Sequence, residues 1–243
     1  MTGVMTSPLV LKLERRDRLS AEERGVLESV ATTIKELPAN QDLVREGETL
    51  GFSTILLSGW AGRIKTLADG QRSITSLHVG GDFIDLHSLL LKPMDHTVSA
   101  LTACRMAVVP HDHLREITQR HPHLTRMLWL DTLIDAAIQR EWLAVLGRLP
   151  AMGQLAHLLC ELYLRLVAVG AAGEGRFVLP LTQSVLADVL GLSPVHVNRT
   201  IQDLRREDLV HWAGNVVQIK NWDRLVQVGE FEPDYLNLDV TPR

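Results

Sequence analysis

The segment TQSVLADVLGLSPVHVNRTIQDLRREDLV, residues 182–210, constrains the fold of this chain more than any other stretch. Its apolar residues recur at helical spacing on both sides of a short break. Gly191 stands where the first helix must end, because glycine adopts the left-handed conformation without steric cost. Ser193 and Pro194 form a helix start, with a hydroxyl N-cap and proline at the first helical position. The segment therefore predicts two short helices with a sharp turn, the helix-turn-helix pattern whose second helix enters the DNA major groove.

Polar side chains line the face of this second helix that is turned away from Val197 and Ile201. We expect Arg199 to read a guanine, because a guanidinium can donate two hydrogen bonds to the guanine O6 and N7 atoms. Ser193 is expected to meet a phosphate at the helix N-terminus. An ordinary helical hairpin with a solvated polar face is the alternative. The residues predicted to contact DNA are Gln183, Ser193, Val195, His196, Asn198, Arg199, Gln202 and Arg206.

Two short β-rich runs follow this segment, Val210–Trp212 and Val216–Ile219, with a turn at Ala213-Gly214-Asn215. A hairpin directly after a recognition helix forms a wing that adds contacts to the DNA backbone. Acidic and basic residues balance across residues 180–225, and the whole chain has a formal net charge of −4. We therefore expect modest non-specific affinity, so that specific binding depends on a dimer presenting two recognition helices at once.

The region 41–110 has a different pattern, in which short β-rich runs are separated by glycines. Such runs at regular spacing favour a β-sandwich or β-roll. Asp69-Gly70 is typical of a hairpin turn. Before this region, Ser20 and Glu23 have the spacing of a capping box at the start of a short helix. The predicted strands are Ile55–Leu57, Gly62–Leu67, Arg72–Val79 and Val98–Val109.

The chain becomes helical after Pro110, with a long helix predicted from near His123 to Pro150 and a second from Met152 to Val169. The long helix would measure about 40 Å at 1.5 Å per residue. Two interpretations are open at this point: coiled-coil pairing with a second subunit, or a core helix packed within its own domain. Asp131 lies on the apolar seam and makes the repeat imperfect. The apolar series comprises Leu124, Leu128, Ile134, Ile138, Trp142, Val145 and Leu149.

In this order, the motifs resemble the Crp/Fnr family, the cyclic-AMP receptor protein type of bacterial transcription regulator, over roughly residues 20–225. REGE (Arg45–Glu48), the Gly59 turn and VGGDFI (Val79–Ile84) are similar to its cyclic-nucleotide-binding β-roll, and GQLAHLLCEL (Gly153–Leu162) is similar to the first helix of its DNA-binding domain. The resemblance implies a homodimer joined through the long helix, which binds a palindromic site in double-stranded DNA and contacts RNA polymerase. It implies an α+β fold with an effector-sensing β-roll (1–122), a dimerisation helix (123–149), a winged helix-turn-helix (150–230) and a tail (231–243).

Residues 81–100, GDFIDLHSLLLKPMDHTVSA, depart from the family's cyclic-AMP-binding cassette, which has the form GDFIGEL followed by Arg-Ser or Arg-Ala. Leu86 stands at the position of the ribose-binding Glu, and His96 stands at the position of the phosphate-binding Arg. Leucine cannot accept a hydroxyl proton, and histidine is a weaker phosphate ligand near pH 7, so we expect no tight cyclic-AMP binding. The effector is left open. The predicted effector pocket comprises Phe83, Leu86, His87, Leu89, His96, Thr97 and Val98.

A second departure lies on the recognition helix, where Val195 aligns with the family's usual base-reading Glu. The family's standard half-sites are therefore not transferred to this chain, and Val195 is expected to touch a thymine methyl group instead. Two cysteines, Cys104 and Cys160, are too few for the iron–sulfur cluster of Fnr-type oxygen sensors. We expect neither this cluster nor any other cofactor.

Other kinds of site receive little support from the sequence. The histidine pairs at 111–113 and 121–123 lack a carboxylate–cysteine set to complete them, so no metal site is predicted. No Ser-His-Asp constellation, paired carboxylates or GxxxxGK loop indicates an enzyme. No apolar run approaches the roughly 20 residues of a membrane helix, and no signal peptide is recognisable, so a cytoplasmic protein is expected. A stand-alone ligand-binding regulatory module is the alternative function, although it would have no use for the pattern at 182–220.

Overall fold

The computed structural model describes residues 8–242, which fall into two compact units. Of the described residues, the first unit holds 8–65, 76–135 and 237–242, and the second holds 66–75 and 136–236. The mixture of a strand-rich N-terminal part, a long helix and a helical C-terminal part with one small sheet confirms the predicted α+β class.

Seven strands form two sheets in the N-terminal part of the chain. A hydrophobic cluster has members in both sheets, among them Leu56 and Met106 from one and Ala61 and Val98 from the other. The strands are β1 (Thr33–Leu37), β2 (Asp42–Val44), β3 (Phe52–Ser58), β4 (Ala61–Thr66), β5 (Arg72–His78), β6 (Thr97–Ala100) and β7 (Cys104–Pro110). In the first sheet β7 lies between β1 and β3, and the second sheet has the order β2-β6-β4-β5.

The single strand predicted at Val98–Val109 is two strands, β6 and β7, and each belongs to a different sheet. The chain leaves β6 at a turn where Thr102 Oγ1 accepts a hydrogen bond from the backbone N–H of Trp60 at 2.9 Å. Gly59 makes this close approach possible, because it has a φ of +93° and a Cβ would lie 2.4 Å from the carbonyl oxygen of Ala103. Only glycine fits there.

Three short helices pack against the first sheet: α1 (Pro8–Glu14), α2 (Ala21–Ser29) and α3 (His111–Arg120). The capping box at Ser20 and Glu23 is present as predicted. Leu9, Ile117 and Met127 are among the fully buried members of the cluster that joins these helices to the sheet. The sequence analysis did not delimit α1, β1 or β2, and α3 lies where the chain was expected to become helical after Pro110.

The long helix α4 runs from Pro122 to Arg148. Among the apolar side chains predicted as its seam, Leu124, Leu128, Ile134, Ile138, Trp142 and Val145 are buried within their own chain. The hypothesis that these particular side chains form a coiled coil with another subunit is therefore wrong, and the core-helix interpretation holds for them. A different set of apolar side chains on α4 is exposed, namely Trp129, Leu133, Leu143 and Leu146.

The C-terminal unit surrounds a helix that is buried along much of its length, α5 (Ala151–Ala168). Glu161 is fully buried on α5 and accepts hydrogen bonds from Trp142 Nε1 and from the Tyr235 hydroxyl, both at 2.9 Å, and from Arg165 at 3.0 Å. The remaining elements are β8 (Arg176–Val178), α6 (Gln183–Leu190), α7 (Pro194–Arg206), β9 (Val210–Ala213), β10 (Val216–Ile219) and α8 (Trp222–Gly229).

Residues 231–243, expected to be a tail, contribute buried side chains in their described part. Phe231 and Leu236 are 3% and 2% exposed, and Tyr235 bonds to Glu161. No helix in the described range 8–242 is long and apolar enough to cross a lipid bilayer.

Candidate nucleic-acid interface

Helices α6 and α7 form the predicted helix-turn-helix, and each of its local signals has the expected geometry. Thr182 caps α6 by accepting the N–H of Val185 at 3.2 Å. The helix ends at Gly191, which has a left-handed φ of 64°. Ser193 then caps α7 by accepting the N–H of His196 at 3.2 Å, with proline at the first helical turn. The sequence thus encodes the turn through residues that satisfy the unpaired N–H groups of both helices.

Buried apolar side chains fix how α7 is rotated within the unit. Val197 and Leu204 are fully buried and Ile201 is 6% exposed. Thr200 lies on the same buried face, and its hydroxyl donates to the carbonyl of His196 at 2.9 Å. Because these residues face the core, the opposite side of α7 must face solvent.

The solvent face of α7 carries the side chains predicted to read DNA. Val195 is 80% exposed, and Asn198, Arg199 and Gln202 are exposed along the same face. Their spacing of three, four and seven residues places them one above another on the helix. Within the described part of the chain, Arg199 has no ion pair or side-chain hydrogen bond, so its guanidinium donors are free for an external acceptor.

The other predicted contact residues have different surroundings. Arg206 is exposed near the far end of α7, where it pairs with Asp203 at 2.7 Å. His196 is half-buried, and Gln183 is exposed at the first turn of α6. The hydroxyl of Ser193 already accepts one N–H, but its proton is available to donate to a phosphate.

The predicted wing is a hairpin in which β9 and β10 pair antiparallel, with Val217 opposite Trp212. Its turn contains Gly214 at a φ of +56°. The sequence missed β8, which pairs with β10 and makes the wing three-stranded. A run of three residues carries too little alternation to be recognised as a strand.

In the N-terminal unit, the predicted effector-pocket residues divide among different surroundings. The hydrophobic cluster between the short helices α1–α3 and the first sheet includes Phe83, with Leu86 and Leu89 packed against it. Val98 belongs to the other cluster, which has members in both sheets. Thr97 accepts the N–H of Glu46 at 3.2 Å. His87 and His96 contact each other, with ring centroids 5.1 Å apart.

A buried arginine near this histidine pair was not predicted as a functional residue. Arg63 is 5% exposed; its Nε and Nη2 donate to the carbonyl of Ile84 at 3.2 and 3.1 Å, and its Nη1 donates to Asp135. Although burial acts to raise the pKa of Asp135, Arg63 and the neighbouring His78 hold that pKa below its usual value. Nothing in the sequence pattern distinguishes Arg63, because a charged residue in a short strand suggests an outward side chain.

Burial is the main cause of the pKa shifts of the titratable groups around Arg63. Burial, followed by the charge of Arg63, lowers the pKa of His87 to about 4 and also lowers that of His96. Burial raises the pKa of Asp85 to about 7, and its Oδ1 accepts the N–H of Thr54. The lowered pKa values of His87 and His96 disfavour their charged imidazolium forms.

The histidine pairs HDH and HPH have structural partners. His111 Nε2 lies 3.1 Å from the Ser88 hydroxyl. His113 Nδ1 lies 2.8 Å from the carbonyl of Val30, and His123 Nδ1 lies 2.7 Å from Glu23. These contacts bind α3 and the start of α4 to neighbouring elements.

Comparison with known proteins supports both parts of this description. Residues 34–121 match the family model described as a cyclic nucleotide-binding domain, and residues 153–228 match the Crp-like helix-turn-helix domain. The transcriptional activator protein FnrL of Cereibacter sphaeroides is 28% identical over 200 residues, covering 81% of this chain and 79% of that protein. A probable transcriptional activator of Rhizobium leguminosarum is 26% identical over 196 residues, covering 79% and 76%.

Among solved structures, FixK2 from Bradyrhizobium japonicum is similar with a TM-score of 0.72 at 23% identity, covering 81% of this chain and 96% of that chain. The cyclic nucleotide-binding match covers strand-rich sequence in the N-terminal part of the chain, and the helix-turn-helix match covers the C-terminal part that contains α6 and α7. Because both domains match and the relatives are transcriptional activators, the chain belongs to the Crp/Fnr family of DNA-binding transcription regulators.

Proposed function

We propose that the chain acts as a homodimer that binds a palindromic site in double-stranded DNA through α7 of each subunit, under the control of the N-terminal unit. The observation that carries this proposal is the free guanidinium of Arg199, which lies on one exposed face with Val195, Asn198 and Gln202. A single recognition helix makes few base contacts, so a second copy is needed for affinity at physiological salt.

The exposed side of α4 supports the homodimer. Trp129 and Leu143 are 65% and 76% exposed, although large apolar side chains usually avoid water. Together with Leu133, Ala136 and Arg140 they recur at alternating steps of four and three residues. This spacing is that of a coiled-coil seam, which suits a second copy of the same helix. The seam in this proposal is therefore a different stripe from the one that the sequence pattern suggested.

The operator should differ from sites read through a glutamate at the position of Val195. A glutamate accepts a hydrogen bond from the cytosine N4 amino group, which valine cannot do. A methyl-bearing side chain that is 80% exposed fits the thymine C5-methyl group. We therefore propose a half-site with thymine at the base that faces Val195 and guanine at the base that faces Arg199.

We propose that the regulator binds neither cyclic AMP nor an iron–sulfur cluster. Leu86 and His96 stand where the family's ribose and phosphate ligands would be. Cys104 and Cys160 are both buried, and burial raises the pKa of each thiol. We further propose a cytoplasmic regulator without catalytic activity that acts through RNA polymerase, since its relatives are transcriptional activators.

The test begins with selection of a binding site from random duplex DNA by the full-length protein. Replacing Arg199→Ala in both subunits removes about 1–3 kcal/mol per half-site, which weakens binding to the selected site by roughly 30- to 20,000-fold. Arg224→Ala is the control, because Arg224 is an exposed arginine in the same unit that pairs with Glu207 at 3.3 Å.

We expect the Arg224→Ala variant to bind within about threefold of wild type. Sedimentation of Leu133→Glu and Leu143→Glu variants checks the dimer, and both should be monomers. Unchanged affinity of Arg199→Ala for the selected site would overturn the proposed recognition helix. Dimeric Leu133→Glu and Leu143→Glu variants would overturn the proposed seam.

A further inference from the structure

Three ligand-type side chains meet at one corner of the N-terminal unit, outside the helix-turn-helix. His87 lies on the short 3-10 turn Leu86–Leu89, and Asp95 and His96 lie directly before β6. One ligand atom from each of the three residues lies within 4.8 Å of the other two. The sequence separates His87 from His96 by a loop, so their approach is a product of the fold.

Each of the two imidazoles has one ring nitrogen that no other group in the described range 8–242 satisfies. The Nε2 atoms of His87 and His96 are both buried, and neither has a hydrogen-bond partner. His96 is only 8% exposed. A buried polar atom without a partner is costly, and such atoms are therefore rare unless a ligand or ion satisfies them.

Asp95 fixes the form in which His96 presents its free nitrogen. Its Oδ1 lies 2.7 Å from Nδ1 of His96, so the Nδ1–H group donates to the carboxylate. The proton is then on Nδ1, and Nε2 carries the lone pair. A carboxylate that orients an imidazole in this way is the usual outer partner of a metal-binding histidine.

The surrounding charges are compatible with a cation. The positive charge of Arg63 is balanced by its ion pair with Asp135. The Asp95 carboxylate, whose Oδ1 lies 2.7 Å from His96 Nδ1, adds negative charge to this corner.

We propose that His87 and His96 bind a divalent transition-metal ion of the Zn²⁺ class through Nε2, with Asp95 as the outer partner of His96. Imidazole nitrogens suit Zn²⁺ or its neighbours in the first transition row, whereas Mg²⁺ and Ca²⁺ prefer oxygen ligands throughout. The remaining positions of a tetrahedral ion are left for water or a small ligand. This inference goes beyond the proposed DNA-binding function and departs from the sequence-based expectation that the chain has no metal site.

The experiment uses untagged full-length protein stripped of metal by a chelator. Zn²⁺ is added in a calorimetric titration, and Co²⁺ is added in parallel because its visible absorption bands report nitrogen coordination. We expect one ion per chain for wild type and no binding of Mg²⁺. The variants His87→Ala and His96→Ala should each lose the saturable site. Asp95→Asn should weaken it by roughly 10- to 100-fold.

The control variant is His211→Ala, because His211 is an exposed histidine in the wing and its loss should leave the titration unchanged. Circular dichroism checks that each variant is folded, and Asp95→Asn keeps the test decisive if a buried histidine variant unfolds, because the Asp95 side chain is 78% exposed. The titration contains no DNA, so it is independent of the proposed regulatory function. Failure of wild type to bind Zn²⁺ or Co²⁺, or undiminished binding by Asp95→Asn and either folded histidine variant, would overturn the proposal.

Discussion

Replacement of Asp131 by alanine tests whether buried charges hold the N-terminal unit together. Asp131 on α4 is 6% exposed and accepts from Arg16 Nη1 at 2.7 Å and from Lys12 Nζ at 2.6 Å. Lys12 has a second partner, Asp82, at 2.8 Å. Arg16 is 4% exposed, and Asp131 is its only ion-pair partner in the part of the chain that the structure describes. Loss of the carboxylate therefore leaves the Arg16 charge buried without compensation.

The size of this effect follows from the cost of an unpaired buried charge. Removing one partner of a buried ion pair costs about 3–5 kcal/mol, against a total stability of about 5–15 kcal/mol for a domain. For a chain of this length, each kcal/mol lowers the melting temperature by about 2–4 °C. Asp131→Ala should therefore lower the melting temperature by roughly 6–20 °C.

The assay is thermal and urea unfolding followed by circular dichroism, with two comparison variants. Asp112→Ala removes an exposed carboxylate that also pairs with an arginine, Arg115, and should cost less than about 1 kcal/mol. The double variant Arg16→Met with Asp131→Leu removes both buried charges and should regain most of the stability. The reasoning fails if Asp131→Ala costs less than about 1 kcal/mol, or if the double variant is as unstable as the single one.

Three further predictions test other parts of the structure. Gly59→Ala should lower the melting temperature more than Gly70→Ala. Both glycines have a positive φ, but only at Gly59 would a Cβ meet the Ala103 carbonyl oxygen, at 2.4 Å. Equal losses of melting temperature would contradict this. Burial raises the pKa of Asp85 in the folded protein from its ordinary value of 3.8 to about 7. The contribution of Asp85 to stability is therefore fully present below pH 3.8 and is lost as the pH rises through 7. Asp85→Asn should therefore flatten the decline in melting temperature between about pH 4 and 7, and parallel curves for the two proteins would refute the assignment. Val195→Glu should shift the site selected from random DNA towards cytosine at the facing base pair, whereas an unchanged site would show that residue 195 makes no base contact.

The helix-turn-helix could be predicted from the sequence because its signals are local. Gly191 ends one helix, and Ser193 with Pro194 starts the next; each residue acts on backbone groups within three or four positions. Such signals need no knowledge of the rest of the fold. The strand prediction at Val98–Val109 was weaker for the opposite reason, because the break between β6 and β7 depends on contacts with Trp60, about 40 residues earlier.

Long-range ion pairs are a second kind of feature that the sequence could not show. In the sequence alone, Asp131 interrupts the apolar repeat of α4 and makes a coiled-coil pattern imperfect. Its partners Lys12 and Arg16 lie more than a hundred residues earlier, so nothing near Asp131 indicates that it is buried. Arg63 and Asp135 are a second such pair. In both cases the charge pattern suggests solvent, and only the fold supplies the opposite charge.

The segment before β6 differs from the family pattern in the charge that it offers to a ligand. In the family pattern that this chain resembles, an arginine provides positive charge for an anionic phosphate, and here His96 stands in its place. A buried arginine close to this position, Arg63, is bound to Asp135 and to the carbonyl of Ile84. The site proposed above consists instead of the imidazoles of His87 and His96 with the Asp95 carboxylate beside them. Imidazole nitrogens are ligands of transition-metal ions, so under that proposal the same fold takes a ligand of opposite charge.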